Sequence, residues 1–191
     1  LAGFLAERPC VTVDLQERLS RDIVRGVMDG TTDMGIIAGP IKADGLQVIH
    51  FSTDQLILVT PLNHPLAKRK KVKLAETLAY PHIGLHEGTT LLRFLNEQVA
   101  LSSQTLNMRI KVYSFEAMCR MVEAGVGLAI LPESSALRHQ KTMGLSIIEL
   151  DEPWRIRERS ILVRDLEALP NVTRTLINIF LQQNIGAERR S

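Results

Sequence analysis

This 191-residue chain is short of nearly everything that would place it in a special class. It has two cysteines, Cys10 and Cys119, with no CxxC spacing, so nothing suggests a disulfide framework; both read as buried free thiols in a reducing compartment, although two cysteines can in principle pair. No disulfide or metal staple is needed, because a chain this long buries roughly 70% of its unfolded surface. No long apolar run exists. The stretch Val126, Gly127, Leu128, Ala129, Ile130, Leu131 is among the longest and falls far short of the roughly 18 residues of a membrane span. Charge of one sign is also lacking: 23 Lys and Arg against 21 Asp and Glu leave +2, too little for this chain alone to grip a nucleic-acid backbone. The one basic run, Lys68, Arg69, Lys70 and Lys71 with Lys73, has no aromatic beside it to stack a base and reads as a solvated turn, phosphate contact being the alternative. The apolar share of 45% and charged share of 23% are ordinary for a globular protein and exclude disordered, collagen and coiled-coil classes.

What is present is an alternation of strands and helices. Leu1, Phe4 and Leu5 already follow helical spacing with no charged leader before them, which predicts the middle of a helix and a longer polypeptide upstream. Pro9 stops that helix. Val11, Val13 and Leu15 alternate with polar residues and predict a half-buried strand. Ser20 is placed to cap a helix with Ile23, Val24, Val27 and Met28 on one face, ended by Gly30. Met34, Gly35, Ile36, Ile37 and Ala38 form a continuous apolar run of the buried-strand kind, completing a βαβ unit with a parallel pair.

The pattern returns at Met108, Ile110 and Val112. Ser114 caps a helix carrying Phe115, Met118, Cys119 and Val122; Gly125 ends it, and a buried strand closes at Pro132. Ser20 and Gly30 are 10 residues apart, Ser114 and Gly125 are 11 apart, so the chain holds a pseudo-repeat of two βαβ units. Between them lie strand-like segments at residues 46–49 and 56–60, a turn at 61–65, a short helix at 74–78, a strand at 83–85, and a helix capped by Thr89 or Thr90. A strand at 145–149, another at 160–163 and a final helix bearing Val172, Leu176, Ile179 and Phe180 follow. The prediction is two α/β lobes, residues 1–60 with 153–191 and residues 61–152, joined by two crossover strands near 59–61 and 153–161.

Catalytic signatures are missing: there is no GxSxG, no GxxxxGK[ST], no HExxH and no GxGxxG, so no enzyme and no cofactor is expected. His86 and Glu87, with His82 four residues back, lack a third ligand, so no metal site is expected either. What recurs is a hydroxyl at a strand-to-helix junction: Ser20, Thr89 or Thr90, and Ser114. Such junctions lie at carboxyl ends of strands, where α/β sheets bind ligands, and the amides of a helix start favour an anion.

Three segments carry a family resemblance. ERPCVTVDLQERLSRDIVRGVMDGTTDMGIIAGP (residues 7–40), DQLILVTPLNHPLAKRKKVKLAETLAYPHI (54–83) and MCRMVEAGVGLAILPES (118–134) resemble, in order, the effector-domain motifs of LysR-type transcriptional regulators. Two departures stand out: Met34 and Gly35 replace the usual aliphatic-small pair, and the family's first strand with its ligand-contacting loop is missing. The resemblance implies a two-lobed, type 2 periplasmic-binding-protein-like α/β fold. It implies a small, anionic metabolite in the inter-lobe cleft and an upstream winged helix-turn-helix, outside this chain, as the only DNA-binding part. By motif position the effector site involves Ser20, Gly39, Pro61, Gly88, Thr89, Thr90, Ser114 and Phe115, with Phe115 equally placed for the core. It further implies a cytoplasmic homodimer or tetramer, with Leu1, Phe4 and Leu5 of the first helix and Ala136 and Leu137 after Pro132 at the interface. A solute-binding protein of a transport system with the same fold is the alternative.

Overall fold

The computed structural model describes residues 1–39 and 42–188. The chain divides into two units, Leu1–Ser52 with Glu158–Ser191, and Thr53–Arg157. It passes from one to the other inside two strands, β2 and β8, introduced below.

The first unit holds α1 (Ala2–Ala6), α2 (Ser20–Asp29), β1 (Gly35–Ala38), the opening residues of β2 (Gln47–Pro61), most of β8 (Ile156–Val163) and α7 (Asn171–Glu188). β1 runs antiparallel to β8, with Gly35 opposite Leu162 and Ala38 opposite Arg159. Successive residues of a strand point to opposite faces. Leu162 therefore packs with Ile37 under Val24 and Val27 of α2, whereas Ile161 and Val163 pack with Ile177 of α7. Gly35 permits the first contact, since a Cβ there would lie 2.4 Å from Ile23 Cγ2. α2 ends at Gly30 in the left-handed region, φ 73°, as its position in the sequence predicts.

Several local expectations fail here. Residues 11–15 form no strand: Val11 and Val13 are half-buried, Leu15 is 80% exposed, and among the described pairings β1 takes β8 alone. Alternation specifies a face, and a ladder exists only where a second strand is in reach. The first βαβ unit thus has no parallel pair. Ile36 is exposed, so β1 alternates and is not buried throughout. The strands expected at 46–49 and 56–60 are one long strand, β2, which begins at Gln47. Cys10 is exposed, unlike Cys119, and both are free thiols.

The second unit adds β3 (Lys71–Val72), α3 (Leu74–Thr77), β4 (His82–Leu85), α4 (Thr90–Ala100), β5 (Met108–Val112), α5 (Phe115–Glu123), β6 (Leu128–Pro132), α6 (Glu133–Gln140) and β7 (Leu145–Leu150). Its sheet runs β3-β7-β2-β6-β4-β5. β4 is parallel to both β5 and β6, while β2 is antiparallel to β6 and β7. The repeat expected around Ser114 is therefore a crossover unit: β5 and β6 flank β4 and do not pair with each other. β2 is buried on both faces, as its run of Leu56, Ile57, Leu58 and Val59 requires. Leu56 and Leu58 meet Leu95 and Val99 of α4; Ile57 and Val59 meet Met118 and Val122 of α5 and Ala136 of α6.

Candidate functional site

Because β4, β5 and β6 run in the same direction, their carboxyl ends lie along one edge of the second unit's sheet. The register pairs Leu85 with Val112, so the loop after β4 and the loop after β5 are neighbours. Of the sequence-derived residues, Gly88 and Thr89 sit on the first of these loops and Ser114 on the second, while Thr90 and Phe115 open the helices α4 and α5 that follow. The amide of His86 donates to the carbonyl of Val112 at 2.8 Å, which ties the loops together. The His86 ring stacks on Tyr113 with centroids 4.7 Å apart and 26° between planes. Lys111 Nζ donates to Glu87 Oε1 at 2.5 Å, and this bond is the main reason the Glu87 carboxyl lies below the usual carboxylate range.

The helix starts differ in how they are capped. Ser114 Oγ accepts from the Ala117 amide at 3.1 Å, the expected cap. Thr89 occupies the cap position of α4, but its hydroxyl donates backwards to the carbonyl of His86 at 3.0 Å. Ser20 is the first residue of α2, with Leu19 at the cap position, so the expected Ser20 cap is not formed. Without side-chain caps at α2 and α4, first-turn amides rely on other acceptors. Gly88 turns the loop into α4 in the left-handed region, φ 88°. This bend brings the first turn of α4 to the carboxyl edge.

Other expected residues fall elsewhere. Gly39 follows β1 with φ 81°, and its amide donates to the Glu158 carbonyl at 2.8 Å. Pro61 is buried at the end of β2, opposite Leu145. Since β2 runs against β6, Pro61 lies at the other edge of that sheet from Gly88 and Ser114 and does not join their site. Phe115 is half-buried against the α5 side of the core. Phe4 is 3% exposed and Ala136 fully buried, so neither is free for a subunit contact; Leu1 and Leu137 are exposed and Leu5 partly so. His82 is buried, its Nε2 3.1 Å from Thr77 Oγ1 and its Nδ1 3.0 Å from the Tyr80 carbonyl, which makes it a core residue and separates it from His86 and Glu87. In the basic run, Arg69 pairs with Glu76 and Lys71 with Glu149.

Tyr113 and the Glu87–Lys111 pair escaped the sequence reading. Tyr113 is 81% exposed and no periodicity marks it; only the pairing of β4 with β5 sets it against His86.

Among the described residues no helix is long and apolar enough to cross a membrane. The family model for the LysR substrate binding domain matches residues 1–184. A probable RuBisCO transcriptional regulator of Porphyra purpurea is 27% identical over 181 residues, covering 91% of this chain and 55% of the relative. One of Trieres chinensis is 26% identical over 160 residues, 80% of this chain and 52% of the relative. This chain thus spans about half the length of the curated relatives it matches. Among solved structures, the regulatory domain of Synechocystis CcmR in complex with 2-PG has a TM-score of 0.85 at 17% identity, covering 96% of this chain and 88% of that one. The effector binding domain of QuiR in complex with shikimate has a TM-score of 0.79 at 18% identity, covering 97% and 88%. These likenesses show the type 2 periplasmic-binding-protein-like fold.

Proposed function

Because the chain belongs to the LysR substrate binding domain family, we propose that it is the effector-sensing part of a DNA-binding transcriptional regulator and that its effector is a small anion. The observation that carries the anion is the carboxyl edge of the second unit, where Gly88, Thr89, Thr90 and Ser114 bring the starts of α4 and α5 together. Amides at a helix start point outward with a partial positive charge, and two such starts on adjacent strands reinforce one another. In the first unit, the motif positions of the family assign further effector contacts to Ser20 and Gly39. The ligands named for the two structural neighbours, 2-PG and shikimate, are small acids and support the same class. The family model and the curated relatives, all regulators, favour sensing over solute transport and over catalysis.

In this reading the DNA-binding part is a winged helix-turn-helix outside these residues, and the whole protein works in the cytoplasm as a homodimer or tetramer. The effector acts by binding one arrangement of the protein more tightly than another; its differential affinity sets how far the population moves. Self-association uses Leu1, Leu5 and Leu137, the exposed remainder of the expected interface.

A thermal-shift panel of carboxylates and phosphorylated acids tests the effector class. A ligand at 100 times its Kd should stabilise the domain by about 2.7 kcal/mol. Thr89→Val should abolish the shift, while the loss of its bond to the His86 carbonyl should lower the unliganded midpoint by less than the effector raises it in the wild type. A flat response to every acid in the panel ends the anion reading.

A further inference from the structure

The second unit is entered at Thr53 and left at Arg157. A side chain beside the first point reaches both a side chain beside the second and a third element, the first turn of α6. Gln55 Nε2 donates to Glu133 Oε2 at 2.9 Å, and Gln55 Oε1 accepts from Arg155 Nε at 3.3 Å. Arg155 is held from its other side, where its Nη2 lies 2.9 Å from Glu149 Oε1 on β7. The neighbouring Asp54 carboxylate accepts from the Ser134 hydroxyl at 2.5 Å and from the Ser134 amide at 3.4 Å, fixing the same turn of α6 to the same strand.

We propose that Gln55 is a clasp that couples the strand entering the second unit, the segment leaving it and the first turn of α6, so that a displacement of α6 reaches both chain passages together. A carboxamide suits this position because it carries a donor and an acceptor at opposite sides of one group. Its donor faces a carboxylate and its acceptor a guanidinium, so both bonds are charge-assisted and stronger than neutral ones. Glutamate at 55 would lose the donor and face Glu133 with like charge; leucine would offer neither bond. The consequence goes beyond effector sensing: α6 exposes Leu137, so any contact made there bears on the two segments through which the units are joined. Arg155 touches α6 only through Gln55 in these contacts, which makes the coupling separable from simple stability.

Peptide-resolved amide hydrogen exchange on the 191-residue chain tests this without any effector. Gln55→Leu should speed exchange about five-fold both in residues 134–138 and in residues 153–157, the scale set by losing bonds of this strength. Residues 82–85 and 108–112 of β4 and β5 should keep their rates. Arg155→Leu should also speed exchange in residues 134–138, and should add nothing there when Gln55 is already leucine. Glu133→Leu, which removes the acceptor on α6 opposite Gln55, should speed exchange in residues 134–138 and 153–157 as well and serves if Gln55→Leu does not fold; unchanged exchange of 153–157 in that variant counts against the clasp. Unchanged exchange of α6 in Arg155→Leu, additive effects of the two leucines, or uniform acceleration across the sheet would each overturn the clasp.

Discussion

Residues 11–30 and 108–125 read alike and fold differently. Each has an alternating apolar run, a serine, a helical face and a glycine stop. In the second stretch every part forms: β5 lies beside β4, Ser114 caps α5, and Met118, Cys119 and Val122 are buried. In the first, α2 forms and Gly30 ends it, but the alternating run makes no ladder and Leu19, not Ser20, holds the cap position. The difference is the neighbour. A helix closes its own hydrogen bonds, whereas a strand borrows them from another segment, so the same local text has a certain outcome in one case and a conditional outcome in the other.

The contrast is sharpest in the core. Met118 is almost wholly buried at the centre of the second unit, so Met118→Ala should cost roughly 2–5 kcal/mol. Its counterpart four residues after Ser20 is Val24; Val24→Ala removes two carbons at about 0.8 kcal/mol each, so the loss should be nearer 1.6 kcal/mol. Urea midpoints of the two variants measure this, and equal losses would mean that the first unit is packed as tightly as the second. Next is the cap. Ser114→Ala should cost about 1 kcal/mol and Ser114→Asp should restore most of it, because a carboxylate also accepts from the Ala117 amide. Failure of aspartate to rescue would show that the hydroxyl is held for something other than capping.

A pH-dependent difference follows from His82. Burial holds its imidazole below the usual range, only partly opposed by the Tyr80 carbonyl, so the folded second unit prefers it neutral. The unfolded chain takes up the proton near pH 6.5. The stabilisation is therefore complete above that pH and is lost as pH falls through the lowered folded value. Urea midpoints taken from pH 7.5 down to 5 should fall, and His82→Gln should flatten the slope; an unchanged slope in the variant would assign the acid sensitivity to other groups.

Smaller still is the effect at the unpaired run. Leu15→Ser should change stability by no more than about 0.5 kcal/mol, as at other exposed positions, whereas Ile110→Ser in β5 should cost clearly more. A large loss at Leu15 would reveal a partner for that segment. Finally, thiol labelling should distinguish the two stretches with no change in stability at all. Cys10 is exposed and should react in the native protein. Cys119, buried and with its thiol pushed up to about 11, should react only after denaturation. Two fast thiols in the folded chain would contradict the packing of α5.

Much of the candidate site is legible because hydroxyls before helices are local signals. Thr89, Thr90 and Ser114 were found that way, and the parallel pairing of β4 with β5 then brought them together. Pro61 was misplaced because the sequence does not show which way β2 runs relative to β6. An antiparallel strand puts its last residue at the opposite edge. Tyr113 gave no signal at all, since its stacking partner comes from a different loop. Phe4 and Ala136 look like surface residues of short amphipathic helices until the fold buries them.

By itself, the sequence determined the helices α2, α4 and α5, the α/β class, the glycine stops at Gly30 and Gly125, and the motif order that marks the family. Each depends on residues close along the chain, through propensity, periodicity or left-handed backbone. Only the tertiary structure decided that residues 11–15 stay unpaired, that the strands expected at 46–49 and 56–60 are one strand, β2, which edge holds the candidate site, and that Gln55 joins Arg155 to Glu133. Those outcomes depend on segments up to about a hundred residues apart, such as the Gln55–Arg155 contact at a separation of 100, and local chemistry carries no information about which distant group arrives.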